Sequence, residues 1–135
     1  MKITFEIITP DRQVLSEQIS QVTVPTKSGQ ITILPGHIPL VTALASGEIR
    51  AKKNGDEILL AVSGGFLEVL KNKVVVLADT AERPEEIDEE RAEKAIEKAK
   101  KLMSQKKFDQ KRFVTFQAKI EKELARLKVA RRRRH

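Results

Sequence analysis

The sequence predicts an α+β fold: an N-terminal antiparallel β-sandwich (a flattened barrel) over residues 1–84, then a C-terminal antiparallel two-helix hairpin over residues 85–135. Two observations predict it. Before Pro84 apolar residues recur at every second position in short runs, and after it they recur at about 3.6. The charge changes at the same place. Residues 1–84 carry nine basic and nine acidic side chains, while residues 85–135 carry seventeen and ten, the whole of the +7 net charge. A neutral part followed by a polarised part argues for two units with different partners.

The strands come first. Ile3, Phe5 and Ile7 alternate with Thr4 and Glu6 and stop at Thr9-Pro10-Asp11. Val22 and Val24 alternate with Gln21 and Thr23, and Pro25 should end that run. Ile31 and Ile33 flank Thr32. Gly47 to Lys53 leads into Asn54-Gly55, the strongest two-residue hairpin signal, and Ile58 to Val62 returns. Ser63-Gly64-Gly65 supplies a break where positive φ is cheap. Phe66–Leu70 and Val74–Ala78 pair around Lys71-Asn72-Lys73. Seven or more strands without a helix among them indicate a sandwich.

The helices follow. Ala92, Ala95, Ile96, Ala99, Leu102 and Met103 share one helical face, with Asp88 as N-cap and Glu89 and Glu90 suiting the helix dipole. Ser104-Gln105-Lys106-Lys107 reads as a connection. Phe113, Phe116, Ile120, Leu124 and Leu127 then recur at three- and four-residue steps. Both stripes are narrow, so this hairpin should dock weakly enough to leave.

The stretch Gly29–Leu40 stands apart from the other strand connections. Pro35-Gly36 breaks a short strand, and Pro39 keeps the backbone out of helix on the far side of His37. The result is a fixed loop with Leu34, Ile38 and Leu40 around one imidazole. Read from its residues alone, it is a strand connection with a surface histidine.

Catalytic chemistry is missing from the sequence. There is no cysteine, and the two histidines, His37 and His135, form no metal cluster. Neither glycine site has a G-x-x-x-x-G-K-[ST] context, and no serine has a G-x-S-x-G setting. The uncharged stretch Gln30–Ser46 holds two prolines and a histidine, so nothing is expected to span a bilayer. A strand pattern begins at Ile3, leaving no room for a signal peptide. The chain is expected to be a soluble non-enzyme.

The run G-Q-I-T-I-L-P-G-H-I-P-L resembles the G-x-L-G-I-L-P-G-H-x-P-L signature of the epsilon subunit of F-type ATP synthase. Ser63–Val69 and Leu77–Glu82 also resemble runs of that family, so the likeness covers the whole chain in order. It implies a non-catalytic central-stalk protein. Its sandwich joins the gamma subunit to the membrane c-subunit ring, and its hairpin can extend along gamma and stop ATP hydrolysis. It also implies a peripheral place, within the complex, on the cytoplasmic face of the plasma membrane.

Site residues follow from the same resemblance. Gln30, Ile31, Leu34, His37 and Ile38 are expected at the interface with gamma and the c ring, where Gln30 stands for the family's frequent glutamate and Thr32 for its glycine. Ile87-Asp88-Glu89-Glu90-Arg91-Ala92 matches the I/L-D-x-x-R-A motif through which some bacterial members bind ATP as a regulatory ligand; no cofactor is required. Transferred here, that site is Ile87, Asp88, Arg91 and Ala92, with Glu82 upstream and Arg126 on the second helix. Composition alone reads the motif as an ordinary helix start. Lys98 and Lys122 stand roughly where nucleotide-binding members carry arginine, and lysine lacks the bidentate fork. Residues 98–135 hold fifteen basic side chains against three acidic. That excess suggests an acidic partner, which the resemblance places in the alpha/beta subunits, facing Lys119, Lys122, Arg126 and Lys128. The other class considered is a basic nucleic-acid-binding adaptor, against which the absence of Tyr and Trp and the neutral sandwich both count.

Overall fold

The computed structural model describes residues 1–104 and 110–132. Eight strands precede the helices: β1 (Ile3–Ile8), β2 (Gln13–Ile19), β3 (Gln21–Thr26), β4 (Gly29–Ile33), β5 (Leu40–Ala43), β6 (Gly47–Lys53), β7 (Asp56–Leu70) and β8 (Lys73–Glu82). They hydrogen-bond in the order β2-β1-β8-β7-β6-β3-β4, with β5 added to the second half of β7. The long β7 pairs β6 through Asp56–Val62 and β5 through Phe66–Val69, so one strand serves both layers. Inward side chains alternate along each strand and meet in one core led by Phe5, Ile3, Ile7, Ile49, Leu60 and Leu67.

Four details depart from the sequence reading. The Ser63-Gly64-Gly65 break does not end a strand; β7 runs through it with φ of +65° and +105° at the two glycines. There is no room for a side chain there. A Cβ on Gly65 would lie 1.8 Å from the Leu77 carbonyl oxygen, and one on Gly64 would lie 2.1 Å from an Asp79 carboxylate oxygen. Pro25 does not end β3 either. It lies beyond the last β3–β6 pair, Thr23↔Arg50, so its missing N–H removes no ladder bond on that side.

β2 and β5 lack the alternation that marks the other strands. In β2 the adjacent Val14 and Leu15 are both buried, and the β1–β2 register shifts between Ile7 and Ile8, which destroys the period of two. Lastly, β1 and β8 pair in parallel, Thr4↔Lys73 to Ile8↔Leu77, within an otherwise antiparallel sheet.

After β8 a single 3₁₀ turn, Pro84–Glu86, leads to α1 (Glu89–Met103), and α2 (Gln110–Arg132) follows. Asp88 caps α1, its Oδ1 accepting from the Arg91 N–H at 3.1 Å. The expected connection lies outside the described residues apart from Ser104, whose N–H closes the end of α1. Ala92, Ile96 and Ala99 pack on Ile120 and Leu127, with Met103 and Phe116 half-buried beside them. Phe113 and Leu124, expected on this face, are about half exposed. A second buried face of α2 turns toward the sandwich, through Val129 and Ala130, which join Ala61 and Ile87.

Candidate functional site

Two regions gather the residues singled out above. The first is the loop after β4. The His37 N–H donates to the Leu34 carbonyl at 3.2 Å, with Pro35 and Gly36 (φ +84°) between them, the arrangement of a type II turn. The His37 ring donates from Nδ1 to the Ile38 carbonyl at 2.7 Å, which fixes the imidazole on the loop's own backbone. Gln30 is exposed and Ile31 packs half-buried against the core. Leu34 and Ile38 point out, 53% and 78% exposed.

The loop is not alone. Leu34, Gly36 and His37 line a crevice with Leu70 and Asn72, at the β7–β8 turn. Strand register then carries an apolar row up the outer face of the sheet: Ala43, Phe66, Leu77 and Ile8 lie opposite one another on β5, β7, β8 and β1. Phe66 (57% exposed), Leu77 and nearby Val41 are large apolar groups left to water. A contiguous patch of this kind marks an interaction surface. Sequence reading missed it because an exposed Phe on a strand looks like a core Phe until the partner layer is known.

The second region lies where the hairpin meets the sandwich. Thr80, Glu82, Arg91, Ala95, Lys119, Lys122, Glu123 and Arg126 surround a cleft of about 440 Å³. Of the six residues expected to hold a nucleotide, the structure brings Glu82, Arg91 and Arg126 to this cleft. The other three have structural tasks: Ile87 is buried beneath α2, Asp88 caps α1, and Ala92 is fully buried between the helices.

Arg126 is held tightly. Its guanidinium meets Glu82 at 2.7 and 3.0 Å and Glu123 at 2.8 Å. Glu123 is itself only 6% exposed, a buried acid that the apolar periodicity of α2 could not reveal. Burial works to lower the Arg126 pKa, but the hydrogen bonds and charges of Glu82 and Glu123 outweigh it, so the pKa stands above its ordinary value. Arg91, Lys119 and Lys122 form no ion pair among the described residues. Three such cations around a polar cleft fit a phosphate-bearing ligand, whereas Arg126 already has both edges of its fork in use. Among the described residues no group of His, Asp and Glu is arranged to hold a metal, and no helix is long and apolar enough to cross a membrane.

Similarity to known proteins covers both regions. Residues 2–84 match the ATP synthase delta/epsilon chain β-sandwich domain, and residues 85–131 match its long α-helix domain. The ATP synthase epsilon chain of Chloroflexus aggregans is 45% identical over 96% of this chain and 93% of its own length. That of Herpetosiphon aurantiacus is 44% identical over 100% and 98%. Among solved structures, a chain of the Euglena gracilis mitochondrial ATP synthase (OSCP/F1/c-ring) superposes with a TM-score of 0.82 at 28% identity, over 96% of this chain and 81% of that one. In sandwich and hairpin alike, the chain belongs to the ATP synthase delta/epsilon chain family.

Proposed function

We propose that this chain is the epsilon subunit of a bacterial-type F-type ATP synthase, a non-catalytic part of the rotor that links gamma to the c ring. What carries this reading is likeness over essentially the full length of named epsilon chains, together with an apolar face and a rigid loop left uncovered at one end of the sandwich. A torque-bearing contact must not yield. The prolines and the internal hydrogen bonds of residues 34–38 supply that stiffness. Gamma would cover Val41, Phe66 and Leu77, while Gln30, Leu34, His37 and Ile38 would meet the c ring and gamma at the foot. The chain would thus lie peripherally at the cytoplasmic membrane face, through the complex rather than through a span of its own.

Inhibition of ATP hydrolysis is assigned to the hairpin in an extended state, with Lys119, Lys122 and Lys128 facing an acidic segment of the alpha/beta subunits. Arg126 cannot be counted simply among them. In the compact state it already serves Glu82 and Glu123, so its loss would both free the hairpin and weaken the brake. A regulatory ATP would be met at the cleft by Arg91, Lys119 and Lys122. The nucleic-acid alternative is disfavoured because Arg126, Arg131 and Arg132 are engaged with carboxylates of this chain.

Reconstitution with alpha, beta, gamma and the c ring tests the reading. Full-length protein should assemble stoichiometrically with gamma and restore ATP-driven pumping. Failure to bind gamma would overturn it.

A further inference from the structure

The outer row Glu48–Ala61–Glu82 runs across β6, β7 and β8, each residue directly opposite the next. Helix α2 lies over this row. Arg126 meets Glu82, Arg132 Nε meets Glu48 Oε2 at 2.6 Å, and Val129 joins the apolar cluster of Ala61. The two spacings agree. Glu48 and Glu82 are two strands apart, about 9.6 Å. Arg126 and Arg132 are six residues apart, about 9 Å along an α-helix. Val129 falls midway at steps of three, so the arginines flank it on either side.

The carboxylates differ in exposure. The Glu48 side chain is only 4% exposed, with Arg50 at 3.4 Å as its other partner. The Arg132 contact, though short, is Coulombic rather than a directed hydrogen bond, since Glu48 Oε2 has no hydrogen-bond partner. Only the acid is buried, since the Arg132 side chain is 41% exposed, so losing Arg132 leaves a buried Glu48 carboxylate with Arg50 alone. Such a pair therefore fixes where the helix lands.

We propose that Glu48–Ala61–Glu82 is an internal docking seat that sets the register of α2, so that the hairpin rests compact on the chain's own carboxylates without a bound ligand. This rests on the reading of the hairpin as the regulatory element, and it names the contact that regulates it. Glu48 and Arg132 are positioning residues in this scheme, not ligand contacts. Ala61 is the seat itself: a larger side chain there would lift Val129 and part both arginines from their acids.

Amide hydrogen exchange on the full-length chain without nucleotide tests it. The second half of α2 should be protected in the wild type. Glu48→Gln and Arg132→Gln should each speed exchange there about tenfold, and Ala61→Leu by at least as much, while amides of β1 and β8 stay protected. The double Glu48→Gln/Arg132→Gln variant should open no further than either single one, because the two act through one contact. Glu121→Gln, on the exposed side, should change nothing. Where Glu48→Gln disturbs the sandwich, Arg132→Gln, which lies on the helix, decides. The proposal is overturned if Arg132→Gln opens α2 no more than Glu121→Gln does. It is also overturned if α2 gains protection only on adding millimolar ATP. Failure of the rotor reading would appear as loss of gamma binding and leave these rates unchanged.

Discussion

The two halves of the molecule are held together on different scales. The sandwich closes around one cluster of twenty buried apolar residues. Among the described residues the helices share a cluster of five, three of them from α1 and two of those alanines, and the cluster joining hairpin to sandwich has four. Only Ile87 and Val129 in that junction are large, each worth about 1.5–3 kcal/mol when fully buried. Two alanines and the half-buried Leu59 complete the apolar contact, and ion pairs, modest in net energy and demanding in geometry, supply the rest. A thickly packed unit is thus coupled to a thinly packed one, and the difference lies in apolar area.

The most severe way to break this contrast is at Gly65. Gly65→Val would force a side chain into the Leu77 carbonyl at an unfavourable φ, and should cost roughly 3–5 kcal/mol. Circular dichroism should then show loss of both halves, since the hairpin has no seat without the sheet. If the helices alone survived, their independence would be greater than the junction suggests.

Leu34→Asp or Ile38→Asp should do the reverse. Both side chains are exposed, so melting should shift by no more than about 0.5 kcal/mol equivalent. Binding to gamma and the c ring, measured by co-purification, should fall at least tenfold. Equal losses in stability and assembly would make the loop part of the core. A fragment of residues 1–84 sharpens the comparison from the other side. It should fold, bind gamma and support pumping, while losing about 1–3 kcal/mol of stability with the junction. The smallest expected effect is at Asp88. Asp88→Ala removes the α1 cap, about 0.5–2 kcal/mol, and should lower helical signal without moving the sandwich transition.

Periodicity made the division between strands and helices legible, because Pro84 sits where β8 gives way to the 3₁₀ turn. It failed where local geometry overrides alternation. The bulge at Ile7/Ile8 hid β2, and the twin glycines resembled a stop although they let β7 approach β8 closely. The loop at His37 was visible through its prolines. The apolar row of Ala43, Phe66, Leu77 and Ile8 was not, since only strand register assembles it. In α2 the five apolar positions suggested one stripe, but a helix packed on two neighbours buries two. Leu124 was therefore placed on the wrong side, and Glu123 went unseen.

The parallel pairing of β1 with β8 also has a consequence for biosynthesis. The first strand made must wait for the last, as Thr4 finds its partner only at Lys73. Contacts so distant in sequence close slowly, and the nascent sheet stays open until residue 82 has emerged from the ribosome. Glu48, Ala61 and Glu82 all precede α2 in the chain. The residues of the surface that receives the last helix are therefore all synthesised before that helix. An early partner could reach the outer face of the sheet while the C-terminal helices are still being synthesised.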